Sequence, residues 1–203
     1  LEADLAARVK EQLERFGVEV LTGSLLKGIH GRNQLKYASA SGRRLKTDLV
    51  VFATGVKPRT ELAVMGKVKL GRTGAIATDR RIRTNKESIY AAGDCAETLD
   101  LVTGKVVYQP LGTAAARSGV IAGSNAVGKR REYAGYLRRQ YDKIFGIEIV
   151  SMGLSTHQAK TLGIKAEAVP VKPPRSGNPV LSILRPTEAL LNAVVEKKSQ
   201  RLV

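Results

Sequence analysis

The sequence predicts an α/β chain whose carboxy-terminal part turns into a smaller α+β unit. Three observations carry this. An amphipathic helix opens the chain. Two apolar runs, residues 48–53 and 88–92, each end in a glycine loop, as strands of a covered parallel sheet do. The texture then changes after Lys129-Arg130-Arg131, which puts a boundary near Glu132.

In the opening helix Leu1, Leu5, Val9, Leu13 and Phe16 recur at three- and four-residue spacing and form one apolar stripe. Asp4 with Arg8 and Glu11 with Arg15 make i,i+4 pairs on the polar side, and Gly17 stands where a C′ glycine stops a helix. A strand is expected at residues 18–21, an alternating strand around 34–38, and a turn at Ser41-Gly42. Residues 49–53 are all apolar and partly β-branched, which fits a strand covered on both faces. They run into Thr54-Gly55-Val56-Lys57-Pro58, and ligands of open α/β sheets bind beyond such strand ends. The second covered strand, residues 88–92, leads into Gly93-Asp94-Cys95-Ala96-Glu97. After a polar loop and the apolar run 106–108, Gln109-Pro110-Leu111-Gly112-Thr113 opens a helix that runs through Asn125 and is closed by Gly128. Its Ala114, Ala115, Gly119 and Gly123 are small enough to let it lie against a sheet or a ring system.

Beyond the boundary a strand is expected at 144–152, and Ser155-Thr156-His157-Gln158 fits a capping box for a short helix ending at Gly163. A strand at 164–171, a loop at 172–179 and a strand at 180–184 follow. Over residues 188–203 helix propensity competes with a hairpin that Val194-Val195 and Lys198-Ser199 permit.

With 43% hydrophobic residues in 203, the chain can bury a core, and with 4% aromatics and no Trp that core must be aliphatic. No apolar run reaches the roughly 18 residues of a membrane span. The acidic Leu1-Glu2-Ala3-Asp4 is not a signal peptide, and a start at Leu1 fits a processed product or an internal piece. One cysteine excludes an internal disulfide framework and fits a reducing cytoplasm. The net charge of +16 is spread along the chain, densest at residues 43–44, 80–83 and 129–131. These runs lack interleaved aromatics, and no helix-turn-helix or zinc-finger pattern accompanies them, so they read as a solvated surface or a site for anionic cofactors rather than for nucleic acid. His30, set in a loop, and His157, in a first helical turn, join no cluster of metal-binding side chains.

The chemistry concentrates at Gly93-Asp94. A glycine at a strand end lets the backbone approach a ligand, and the carboxylate beside it suits sugar-like hydroxyls better than a metal, since no second ligand lies near. Downstream, the helix start at Leu111-Gly112-Thr113-Ala114 offers free N–H groups where negative charge is stabilised.

Residues 48–128 resemble the pyridine nucleotide-disulfide oxidoreductase family, in its branch of coenzyme A-disulfide reductases, NADH oxidases and persulfide reductases. The matching segments are Ala53-Thr54-Gly55-Val56-Lys57-Pro58, Gly74-Ala75-Ile76, Arg83-Thr84, the run Tyr90-Ala91-Ala92-Gly93-Asp94, and Pro110-Leu111-Gly112-Thr113-Ala114. Residues 141–163, with Met152-Gly153-Leu154-Ser155 and Ala159, resemble the start of the family's dimerisation domain. The resemblance implies an end of an NAD(P)-binding domain at 1–60, a second part of an FAD-binding domain at 61–131, both three-layer remnants, and the start of a dimerisation domain at 132–203. It assigns FAD contact to Gly93, Asp94, Pro110, Leu111, Gly112, Thr113 and Ala114, and the cofactor crevice to Gly55, Lys57 and Pro58. A reduced flavin gathers negative charge at one end of its ring, and a helix start aimed there would favour reduction. Cys95 is implied to be a packing residue, and the closing segment to form strands.

The implied activity is hydride transfer from NAD(P)H to FAD and onward to a disulfide, persulfide or oxygen, in a homodimer. The sequence holds no G-x-G-x-x-G and no redox-active cysteine of the family pattern, so the chain alone is expected to be inactive. A non-catalytic dimerisation or partner-binding module is one rival. A ferredoxin-reductase-like flavoprotein is another, disfavoured by the Met152-Gly153-Leu154-Ser155 segment and the absence of Trp.

Overall fold

The computed structural model describes residues 1–171 and 190–203. The loop expected at 172–179, the strand at 180–184 and the first part of the closing segment lie outside them. The chain divides into two compact units, one of Lys10–Val56 and one of Leu1–Val9 with Lys57–Val203.

Helix α1, Ala3–Arg15, crosses from one unit to the other. It ends as a glycine permits: Gly17 sits at φ +82°, and the amides of Val18 and Gly17 close onto the carbonyls of Leu13 and Glu14 at 3.1 and 3.0 Å. Its first turn is pinned by polar contacts, Glu2 accepting from the Thr156 amide at 2.7 Å and Asp4 from the Asn192 amide group at 2.9 Å.

The smaller unit holds an antiparallel meander of β1 (Leu26–Gly31), β2 (Leu35–Ala40) and β3 (Arg43–Lys46). Ser41 and Gly42, at φ +48° and +77°, form the left-handed two-residue turn that twisted hairpins favour. His30 lies in β1 rather than in a loop; its ring stacks on Tyr37 at 4.4 Å between centroids. Gly28 and Gly31 break the alternation that would have marked this strand, and both sit at register shifts.

Two strand expectations fail in this unit. Residues 18–21 are irregular, and so are residues 48–53, where Leu49, Val51 and Phe52 are 77%, 78% and 64% exposed. A strand exists only where its N–H and C=O groups meet another backbone. The last ladder-like bond of the meander is Thr47 N–H to Lys36 O, and no described strand continues beside the apolar run.

After Lys57 the larger unit continues with α2, Glu61–Met65. Its core is small: Ala63, Val68, Ile76, Ala91 and Ala96, with Leu70 and Cys95 packed against them. The strand expected at 88–92 is reduced to one bridge, Arg83 to Tyr90, because Ile82 and Ser88 take φ near +60° and bend the chain on both sides of it.

A short hairpin, β4 (Thr98–Leu99) and β5 (Val106–Val107), is closed by Asp100. That carboxylate is 2% exposed and accepts from the amides of Val102 and Thr103, both at 2.9 Å. Helix α3, Gly112–Ala126, follows and is closed near Gly128 at φ +85°. Asn125 at its end is buried and uses both N–H groups and its oxygen, on Arg81 O, Arg131 O and Arg131 N–H at 2.7–2.9 Å.

The expected strand 144–152 is a hairpin. Phe145 and Gly146, at φ +43° and +85°, turn between β6 (Arg139–Ile144) and β7 (Ile147–Met152). Ser155 then caps α4, Thr156–Thr161, through a complete capping box with Gln158. Strands β8 (Ala166–Val171) and β9 (Leu191–Glu196) pair antiparallel, and Leu202 returns to bridge Val195, so the closing segment takes strand form. Among the described residues no helix is long and apolar enough to cross a membrane.

Candidate functional site

The Gly93 turn is built from both sides of the larger unit. The amide of Ala96 donates to Gly93 O at 3.0 Å and closes the turn, while Ile76 is bonded to Cys95 O and to the Glu97 amide at 2.8 and 2.9 Å. The Gly74-Ala75-Ile76 segment therefore fixes the turn from behind. Glu97 works in the same direction: its carboxylate accepts from the amide and hydroxyl of Thr73 at 2.9 and 2.8 Å. Cys95 directs its sulfur to Ala92 O at 3.4 Å, within its own turn.

The other side is α3. Gly93, at φ +76°, donates its N–H to Ser118 Oγ at 3.1 Å. Ser118 is buried and passes its own proton to the helix carbonyl of Ala114 at 2.9 Å. A Cβ on Gly93 would sit 3.3 Å from Ala115 Cβ. Ala115, noted in the sequence for its size, is where the turn and the helix meet.

This contact places Asp94 beside the opening of α3. The carbonyl of Asp94 accepts from the Tyr108 hydroxyl at 3.0 Å, and its exposed carboxylate takes no hydrogen bond among the described residues. Burial first, and the Asp94 charge second, push the Tyr108 phenol above its ordinary range.

Helix α3 starts without a side-chain cap. Leu111 stands at the N-cap in extended conformation, and the first helical bond is Ala115 N–H to Leu111 O at 2.9 Å. The amides of Gly112, Thr113 and Ala114 find no acceptor among the described residues. Leucine is among the weakest N-caps, so these donors are left open where Ser or Asp would have closed one. The hydroxyl of Thr113 lies 3.0 Å from that of Tyr136. Among the described residues nothing beyond the helix's own neighbouring backbone lies within 4 Å of a Cβ built on Gly112, Gly119 or Gly123, so no described residue packs on the glycines of α3. A small void of about 10 Å³ lies at this turn beside Ala91, Gly93, Ala114, Ser118 and Tyr133. It has room for about one water.

Of the residues singled out in the sequence, Gly93 and Ala114 line one small void, with Gly93 held against Ala115 and Ser118 of α3; Asp94 follows Gly93 in the turn, and Pro110, Leu111, Gly112 and Thr113 lead into Ala114. Lys57 is exposed and Pro58 half-buried, and no hydrogen bond or ion pair joins either to the turn among the described residues. Gly55, at φ +90°, belongs to the smaller unit. Sequence reasoning missed Ser118, Tyr108 and Tyr136. Ser118 carried a signal, a hydroxyl in the middle of a helix otherwise rich in alanine and glycine; the two tyrosines carried none.

The chain matches the family model described as pyridine nucleotide-disulphide oxidoreductase over residues 1–116. It is 38% identical over 182 residues to an NAD(P)H sulfur oxidoreductase (CoA-dependent) of Pyrococcus furiosus, covering 86% of this chain and 39% of that protein. It is 35% identical to an NADH oxidase of Methanocaldococcus jannaschii, over 78% of this chain and 35% of that one. Among solved structures, an NAD-dependent persulfide reductase from A. fulgidus superposes on the whole chain with a TM-score of 0.90 and 36% identity, using 37% of its own length. The chain thus spans well under half of these relatives. Its fold is the mixed α/β arrangement of flavin- and nicotinamide-binding oxidoreductases. With 116 of its 203 residues under the family model and relatives above 30% identity over most of its length, the chain belongs to the pyridine nucleotide-disulphide oxidoreductase family.

Proposed function

We propose that this chain forms the second FAD-contacting segment and the start of the dimerisation unit of an FAD-dependent NAD(P)H:disulfide oxidoreductase. In this reading residues 1–60 end the NAD(P)-binding domain, 61–131 complete the FAD-binding domain, and 132–203 open the dimerisation domain of a cytoplasmic homodimer. The observation that carries the proposal is the Gly93-Asp94 turn locked against a helix start that leaves three amides open.

The residues present fit FAD. Asp94 offers a free, exposed carboxylate to sugar-like hydroxyls, and Gly93 lets the backbone come close to a ligand and to Ala115 alike. The open amides of Gly112, Thr113 and Ala114, at the positive end of α3, suit a group that gains negative charge. The glycines along α3 leave room for a flat ring. Lys57, beside Gly55 and Pro58, is an exposed cation suited to a dinucleotide phosphate. When bound, FAD supplies a two-electron relay between NAD(P)H and the acceptor.

Names of relatives support a disulfide, a coenzyme A-linked persulfide or oxygen as that acceptor. No catalytic residue is assigned to this chain, because Cys95 is turned into its own loop. The chain on its own is inactive in this reading.

The test is FAD titration of the full-length protein, followed by flavin fluorescence and visible absorbance. Asp94→Ala should weaken FAD binding about tenfold, as loss of charge-assisted hydrogen bonds does. Binding unchanged in that variant would refute the assignment. A colourless full-length protein that takes up no FAD would favour the non-catalytic module.

A further inference from the structure

We propose that Tyr136 is a positioning residue for the ligand-facing start of α3; the inference rests on the FAD reading above. Tyr136 is 2% exposed, and its backbone is fixed on both sides. Its amide donates to Leu99 O at 2.7 Å, and its carbonyl accepts from the Leu101 amide at 3.1 Å. Gly135, just before it, is at φ +118°, where a Cβ would fall 2.5 Å from Leu99 O, so the approach to Tyr136 admits only glycine.

Out of this anchored base the phenol reaches two partners. Its oxygen is 3.0 Å from Thr113 Oγ1 and 3.4 Å from Arg139 O, at the first residue of β6. The hydroxyl has one proton. Donating it to Arg139 O and accepting from Thr113 satisfies all three groups, whereas donating it to Thr113 leaves Arg139 O without it. The favoured chain is Thr113 to Tyr136 to Arg139. It holds the Thr113 hydroxyl on the Tyr136 side of the helix.

Released, that hydroxyl is free to turn back to a carbonyl three or four residues earlier, the usual alternative for a helical threonine. Such a bond would pull on Gln109 and Pro110 and shift the opening turn. Leu111 provides no cap that could resist. Tyr136 thereby acts through Thr113 on the three open amides, and it ties their position to the hairpin of β6 and β7.

The experiment uses the full-length flavin-loaded protein with Tyr136→Phe, Thr113→Val and both together. Readouts are the FAD dissociation constant, the flavin reduction potential and amide hydrogen exchange in residues 110–116. Tyr141→Phe serves as control, since Tyr141 is exposed on β6 and its hydroxyl makes no hydrogen bond among the described residues. Each single variant at 136 or 113 should weaken FAD binding about fivefold, the worth of one hydrogen bond, and speed exchange in the opening turn. The double variant should be no weaker than either single, and the control unchanged. Additive losses, or a Tyr136→Phe protein that melts earlier but binds FAD normally with an unshifted potential, would overturn the proposal. If Tyr136→Phe fails to fold, Thr113→Val alone decides, and undiminished FAD affinity there overturns it. A wild-type protein that binds no flavin defeats the underlying reading instead, whatever the variants do.

Discussion

Replacing Gly93 by alanine probes the contact on which the candidate site depends. Two costs add. At φ +76° an L-residue with a side chain sits in the left-handed region, which costs about 1–2 kcal/mol. The new Cβ also meets Ala115 Cβ at 3.3 Å, a few tenths of an ångström too close, and Ala115 lies on a helix that cannot yield without disturbing the Ser118 bond. A further kcal/mol or so is the usual scale of such overpacking. The sum is about 2–3 kcal/mol. For a chain of this size it predicts a melting temperature lower by about 4–12 °C, and a urea midpoint lower by about 1 M or more. Circular dichroism during heating and urea titration measure both. A companion Gly93→Ala/Ala115→Gly variant separates the costs: it removes the collision but keeps the backbone strain and adds a helix glycine of about 1 kcal/mol. It should therefore recover little. A Gly93→Ala protein as stable as the wild type would show that the turn is not held against α3 as described.

Other consequences are equally direct. Ser118→Ala removes the acceptor for the Gly93 amide and should cost about 1–3 kcal/mol by leaving a part-buried N–H unpaired, read by urea unfolding. Asn125→Ala breaks three bonds that hold residues 81 and 131 together, and should speed tryptic cleavage after Lys129, Arg130 or Arg131 at least tenfold in time-course digestion. Unchanged cleavage would mean that the loop is held by something else. Ser155→Ala dismantles the capping box of α4 and should lower stability by about 1 kcal/mol, measured by thermal melting, while Ser155→Asp should be nearly neutral.

Features decided by neighbours in sequence were legible. Gly17 stops α1, Ser41-Gly42 turns β2 into β3, and the Ser155 capping box opens α4, each through atoms a few residues apart. The meeting of Gly93-Asp94 with α3 was readable because both halves carried local signals, a strand-end glycine and a run of small helical residues. Residues 48–53 misled for an instructive reason. Their composition records that both faces are meant to be covered, but pairing is a property of two segments, and no described strand accepts this one. The Phe145-Gly146 turn was hidden because phenylalanine seldom adopts φ +43°, so an apolar run concealed a reversal. Tyr136 was invisible for the opposite cause: nothing near it in sequence tells that its hydroxyl meets Thr113.

The unpaired apolar ribbon has a practical consequence for anyone producing the chain. An exposed apolar segment with Leu49, Val51 and Phe52, which pairs with no described strand, invites whichever extended segment reaches it first. At high concentration that segment comes from another copy, so purification yield should fall as the protein is concentrated, and an engineered lysine or proline within the ribbon should keep stocks clear.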